Sequence, residues 1–196
     1  MQFHLGAVPD SPEFVVDDSW NPCREPNPIL MQFLVVPLGI VTCAAVAALW
    51  FYLTPVADAL FTSPILVLGA ILLIIPLHEL IHASAHPHFG RSDFSVLGLW
   101  PSRLLFYAHY SGELSRDRFL VILAMPLVVI SGVPLVASAF LGQASIVLAV
   151  VSVFNTLAAC GDVLGICLLF FQVPRRAIVR NQGWRTYWRI DQTGAS

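Results

Sequence analysis

The chain has 196 residues, of which 57% are hydrophobic and only 11% are charged, and its formal net charge is −2. Its mean hydropathy is +0.78. Soluble domains run at roughly 45–50% apolar and about 25% charged, so a membrane protein is indicated first, and the charge leaves no basic surface of the kind nucleic acid requires.

Residues 1–28 form an acidic, proline-rich stretch ("VPDSPEFVVDDSWNPCREPNP") that reads as a polar N-terminal segment. A membrane-crossing helix needs roughly 20 apolar residues, and four segments qualify. The first is about Ile29 to Leu53 and the second about Pro64 to Ala85. A polar link, 86–117, follows. The third runs from about Arg118 to Leu141 and the fourth from about Ala144 to Val173. Residues 174–196 form a basic tail. The expected fold is an all-α polytopic membrane protein with four transmembrane helices in a membrane domain spanning 29–173. Two aromatic and β-branched runs flank Trp100-Pro101-Ser102-Arg103 in the link, so a small hairpin there is one reading and an irregular loop the other. Ser115 is placed to cap the third helix.

Basic residues favour cytoplasmic loops. All ten are arginine, and none falls in the short links 54–63 and 142–143. Arg91, Arg103 and Arg116 lie in the long link, and Arg175, Arg176, Arg180, Arg185 and Arg189 in the tail. The link and both termini are therefore expected on the cytoplasmic side. The four cysteines (23, 43, 160 and 167) include no C-x-x-C pair and read as reduced structural thiols.

The chemistry concentrates at the end of the second helix. His78-Glu79-Leu80-Ile81-His82 is H-E-x-x-H. Positions i and i+4 share one helical face, so both imidazoles can reach one metal ion. Glu79, next to His78, can take a proton from a metal-bound water. Ionisable groups in an apolar span are costly unless paired or liganded. A cluster of histidines and a carboxylate bonded to neighbouring helices is the plainer alternative.

A catalytic zinc takes three protein ligands and keeps one open position. His86 continues the stripe but lies about 12 Å from His78 along the axis, too far to share an ion. His88 falls at the last histidine of the metzincin spacing, H-E-x-x-H-x-x-G-x-x-H. That motif needs a glycine where Ala85 stands. Asp162 is the only charged residue of the fourth apolar segment and lies at a depth compatible with the histidines. It is the favoured third ligand. Asn155, about two turns earlier, could bond a substrate carbonyl or oxyanion, or hold two helices together. Gly161 and Gly165 form a small-x-x-x-small pair that permits close helix approach.

H-E-x-x-H in one membrane helix, then an intervening helix, then F-N…D in the next is similar to the three-helix core of the site-2 proteases, here the second to fourth helices. More closely, the chain resembles a bacterial and archaeal membrane family of zincin peptidases of unknown function. The resemblance runs through "LGAVPDSPEF", "DDSWNPCREP", "HELIHASAHP", "ELSRDRFLVILAMPL" and "FNTLAACGDVLG", and so covers most of the chain. It implies zinc held by His78, His82 and Asp162, Glu79 as the base, and a polar group at Asn155. Between Asn155 and Asp162 the interval is one residue shorter than in the site-2 pattern. It lacks proline, and Val163 follows the aspartate where glycine is usual.

These features lead to an intramembrane zinc metallopeptidase that hydrolyses a peptide bond of a membrane-protein or peptide substrate within the lipid bilayer of a prokaryotic cell. The alternative is a non-catalytic, zinc-stabilised membrane scaffold that binds a partner. A di-iron oxygenase needs about eight histidines in H-x-x-x-H-like boxes, and the chain has six.

Overall fold

The computed structural model describes residues 1–54, 63–103 and 105–191. Two compact units make up the chain. Unit one comprises Met1–Asn27, Glu79–Leu123 and Gly165–Ser196. Unit two comprises Pro28–His78 and Ala124–Leu164. All ten arginines belong to unit one.

The architecture is mixed α/β, which corrects the all-α expectation. Helices α1 (Pro28–Leu53) and α2 (Pro64–Ala85) fall where the apolar runs place them. Each opens on a proline, whose missing N–H costs nothing in a first turn. Then α3 (Arg116–Pro126) passes through a wide π turn, Leu127–Gly132, into α4 (Val133–Leu141). The expected fourth transmembrane helix is instead two, α5 (Ile146–Ala158) and α6 (Cys160–Gln172), bent by 50°. Among the described residues, three helical segments are thus long and apolar enough to cross a membrane: Phe33–Leu53, Pro64–Ala85 and Arg116–Leu141. The bend arises at Ala159, which is fully buried and whose ψ of 3° leaves helical geometry. A run of apolar residues carries no mark of such a break. Most of the predicted link 54–63 lies outside the described residues.

In unit two, Trp50 packs with Leu135, Ala144 and Ala149. Its indole N–H donates to Ser152 Oγ at 2.9 Å. Ser131 and Ser152 exchange two bonds: Ser131 Oγ donates to the Ser152 carbonyl at 2.7 Å, and Ser152 Oγ to the Ser131 carbonyl at 3.0 Å. These bonds tie the π turn to α5.

The described residues of unit one include seven strands, β1 (Gln2–Leu5), β2 (Asn21–Pro22), β3 (Ser95–Trp100), β4 (Leu105–Tyr110), β5 (Leu114–Ser115), β6 (Ala177–Gln182) and β7 (Arg185–Ile190). They form one sheet of order β1-β3-β4 and another of order β2-β7-β6-β5. The link does contain a hairpin, β3 with β4, and β1 joins it in parallel. The tail, expected only as a basic segment, is a second hairpin that turns at Gly183 (φ 55°). Leu169, Val173, Ala177 and Val179 form a core beneath that hairpin, with Phe119, Leu120 and Leu123 packed against it. Ser115 Oγ accepts from the Arg118 N–H at 3.2 Å, the expected cap of α3.

Gly98 and Tyr107 face each other across β3 and β4. The Tyr107 ring lies where a side chain at 98 would stand, and its hydroxyl donates to the Gly6 and Ala7 carbonyls. Gly98→Val should therefore cost about 1–3 kcal/mol through overpacking. A lowered unfolding midpoint in detergent is the expected reading, and an unchanged midpoint would contradict it.

Candidate metal centre

Helix α2 is continuous through its last turns, so His78 and His82 share a face one turn apart. The boundary between the units falls inside that helix, after His78. The helix ends because Pro87 follows: His86 takes an extended conformation (φ −60°, ψ 159°). Arg118 then serves the freed carbonyls, with Nε donating to Ala85 O at 2.9 Å and Nη2 to His86 O at 3.2 Å.

Within unit two, both ring nitrogens of His78 are engaged. Nδ1 lies 2.9 Å from Asn155 Oδ1, and Nε2 lies 3.1 Å from Asp162 Oδ2. His78 is 4% exposed and Asn155 is fully buried. Asn155 and Asp162 thus reach the same ring from α5 and α6, on either side of the bend. Within unit one, His82 Nδ1–H donates to the Ile122 carbonyl at 2.8 Å. That carbonyl is available because Pro126, four residues on, has no N–H to offer it.

The candidate ligand atoms of His78, His82 and Asp162 all lie within 4.8 Å of one another. It is the one group of three or more possible ligands among the described residues. Two imidazoles and a carboxylate match the donor set of a catalytic zinc with one position left open. Ligands about 2.0–2.1 Å from a tetrahedral ion stand roughly 3.3 Å apart, close to the 3.1 Å between His78 Nε2 and Asp162 Oδ2. The donor set therefore fits zinc.

Glu79 follows His78 directly and is half-buried. Asn155 has little left for a substrate: its Nδ2 donates to Pro126 O at 3.1 Å and to Ser131 Oγ at 2.9 Å. Gly161 has open space on its side-chain face, while Gly165 packs against Leu123. Only the second glycine thus makes the close contact anticipated for the pair.

The remaining histidines lie outside the group. His88 is exposed in a left-handed turn with Phe89 (φ 56° and 55°). His86 is buried, with Nδ1 2.8 Å from Ser95 Oγ. Burial, and then the neighbouring His82, His109 and Arg118, lowers its pKa to about 4. His109 is lowered to about 4 by burial, against the pull of Asp10. Both are neutral at pH 7 and serve the packing of unit one.

Ser131, Ser152 and the Ile122 carbonyl escaped the sequence reading. Hydroxyls in apolar helices often bond back to their own turn, and a backbone carbonyl has no residue type. The one available signal was Pro126, whose ring announces an unpaired carbonyl four residues earlier.

A family model described as "Putative zincin peptidase" matches residues 71–178. That span contains the H-E-x-x-H motif, Asn155 and Asp162. No curated protein and no solved structure matches the chain.

Proposed function

Since the chain belongs to the family described as "Putative zincin peptidase", we propose that it is a zinc metallopeptidase that cleaves a peptide bond of a membrane-protein substrate within the bilayer. The observation that carries this reading is the convergence of His78, His82 and Asp162, two turns of an apolar helix and a distant aspartate, into one metal-sized group. The apolar helices support a membrane setting.

Zinc held there supplies a Lewis acid and lowers the pKa of a coordinated water toward about 7. His78 and His82 offer Nε2, because Nδ1 of each faces a hydrogen-bonding oxygen. Asp162 adds a negative charge that offsets the ion's. Glu79 accepts a proton from the attacking water and returns it to the amide nitrogen as the C–N bond breaks. One water is consumed, and a carboxyl and an amine result.

A helical peptide bond is shielded, so the substrate must be extended before cleavage. β4 stands at the edge of its sheet, and Tyr110 at its end contacts the ring of His86, the residue just after α2, at 5.2 Å between centroids. A substrate segment that adds to β4 as a further strand would be held extended near that end of the helix. The clustering of every arginine in unit one supports a cytoplasmic position for that unit, and so for both chain termini.

Purified protein in detergent should carry about one equivalent of zinc. It should cleave a membrane-anchored peptide with an extended stretch beside its anchor. A chelator should stop cleavage, and added zinc should restore it. Protein that holds no zinc at equilibrium would sink the reading.

A further inference from the structure

We infer that Ser131, in the π turn, and Asn155 are positioning residues that select which nitrogen of His78 meets the metal. The inference rests on the zinc reading above. Its basis is a chain of hydrogen bonds whose direction is set at one end by a backbone carbonyl.

The Ser152 carbonyl can only accept, so the Ser131 hydroxyl hydrogen, 2.7 Å away, must point to it. Ser131 Oγ then accepts from Asn155 Nδ2 at 2.9 Å. The Pro126 carbonyl, 3.1 Å from the same nitrogen, can also only accept. Two acceptors therefore fix which end of the Asn155 amide faces them. The oxygen must face His78, and Oδ1 lies 2.9 Å from Nδ1. Because an amide oxygen cannot donate, Nδ1 must carry a proton, so in the neutral ring Nε2 is the nitrogen whose lone pair is left for a metal. Nε2 is also the atom aimed at Asp162.

Burial makes this arrangement hard to escape. Ser152 and Asn155 are fully buried, and Ser131 is 3% exposed. A flipped amide would oppose its oxygen to the Pro126 carbonyl in a fully buried setting, where an unpaired polar contact is costly. The Ser152 hydroxyl is itself occupied, since it donates to the Ser131 carbonyl and accepts from Trp50 Nε1. The wide turn over Leu127–Gly132 brings Ser131 to α5, and such turns recur at functional sites. Asn155 accordingly acts on the imidazole and makes no contact with substrate.

Three measurements test this. With 15N-labelled histidine, zinc-loaded wild-type protein should show His78 protonated at Nδ1 and ligated through Nε2; ligation through Nδ1 overturns the inference without any variant. Asn155→Leu, checked for helical content by circular dichroism, should bind cobalt(II) about 10–100-fold more weakly, with an altered visible spectrum. Ser131→Ala, which leaves the Asn155 oxygen in place, should weaken cobalt less but in the same direction. Folded variants that match the wild type in both affinity and spectrum would overturn it. Wild-type protein that binds neither zinc nor cobalt would overturn the zinc reading itself, and this inference with it.

Discussion

Asp162→Ala should strip the protein of its metal. Purified wild type is expected to hold about one zinc, and the variant close to none after dialysis against a weak chelator. The carboxylate does two things here. It completes the candidate donor set with His78 and His82, and it supplies the only negative charge among those three side chains. Two neutral imidazoles leave the cation's charge uncompensated in an apolar setting, where charge is most costly. Asp162→Asn keeps the shape and removes the charge, so it should retain zinc only weakly. His88→Ala is the control. His88 is exposed and lies outside the ligand group, so its loss should leave zinc content unchanged. If zinc instead survives Asp162→Ala and disappears with His88→Ala, the third ligand is His88.

Glu79→Gln should keep the metal and lose the chemistry. Glutamine has nearly the same size, and Glu79 lies outside the candidate group of three, so zinc content should match the wild type. A positioned general base contributes roughly 10²–10⁴-fold, and turnover of a membrane-anchored peptide should fall by that order. The pairing of results matters. Loss of both zinc and activity would place Glu79 among the ligands. Zinc retained, with no effect in any functional assay, would instead support a zinc-stabilised scaffold.

Much of the centre could be read along the chain. His78 and His82 are four residues apart in an apolar run, and helix geometry alone brings them to one face. The ends of α2 follow from Pro64 and Pro87, which act on adjacent backbone only. Asp162 stood out because a lone carboxylate in an apolar segment requires a partner. The strands were less visible. The tail alternates apolar and polar residues on both sides of Gly183 ("AIVRNQGWRTYWRI"), but its arginines suggested a charged tail. The contacts that make it a sheet lie far off in the chain: β7 pairs with β2 at Asn21–Pro22, and β6 with β5 at Leu114–Ser115. The arginines themselves are used there, Arg180 over the Phe14 ring and Arg189 over that of Trp20. The bend at Ala159 was not legible either, because the apolar pattern continues unbroken through it.

The sequence alone pointed to helices long and apolar enough to cross a membrane and to two histidines on one helical face, because hydropathy and i, i+4 spacing are local properties. It also named Asp162, by its cost of burial. Only the tertiary structure shows which groups the Asn155 amide faces. His78 and Asn155 are 77 residues apart, and the role of the amide depends on which of its ends faces carbonyls on other elements. Residue type leaves both orientations open. The Pro126 and Ser152 carbonyls, which can only accept, remove that freedom once the helices are packed.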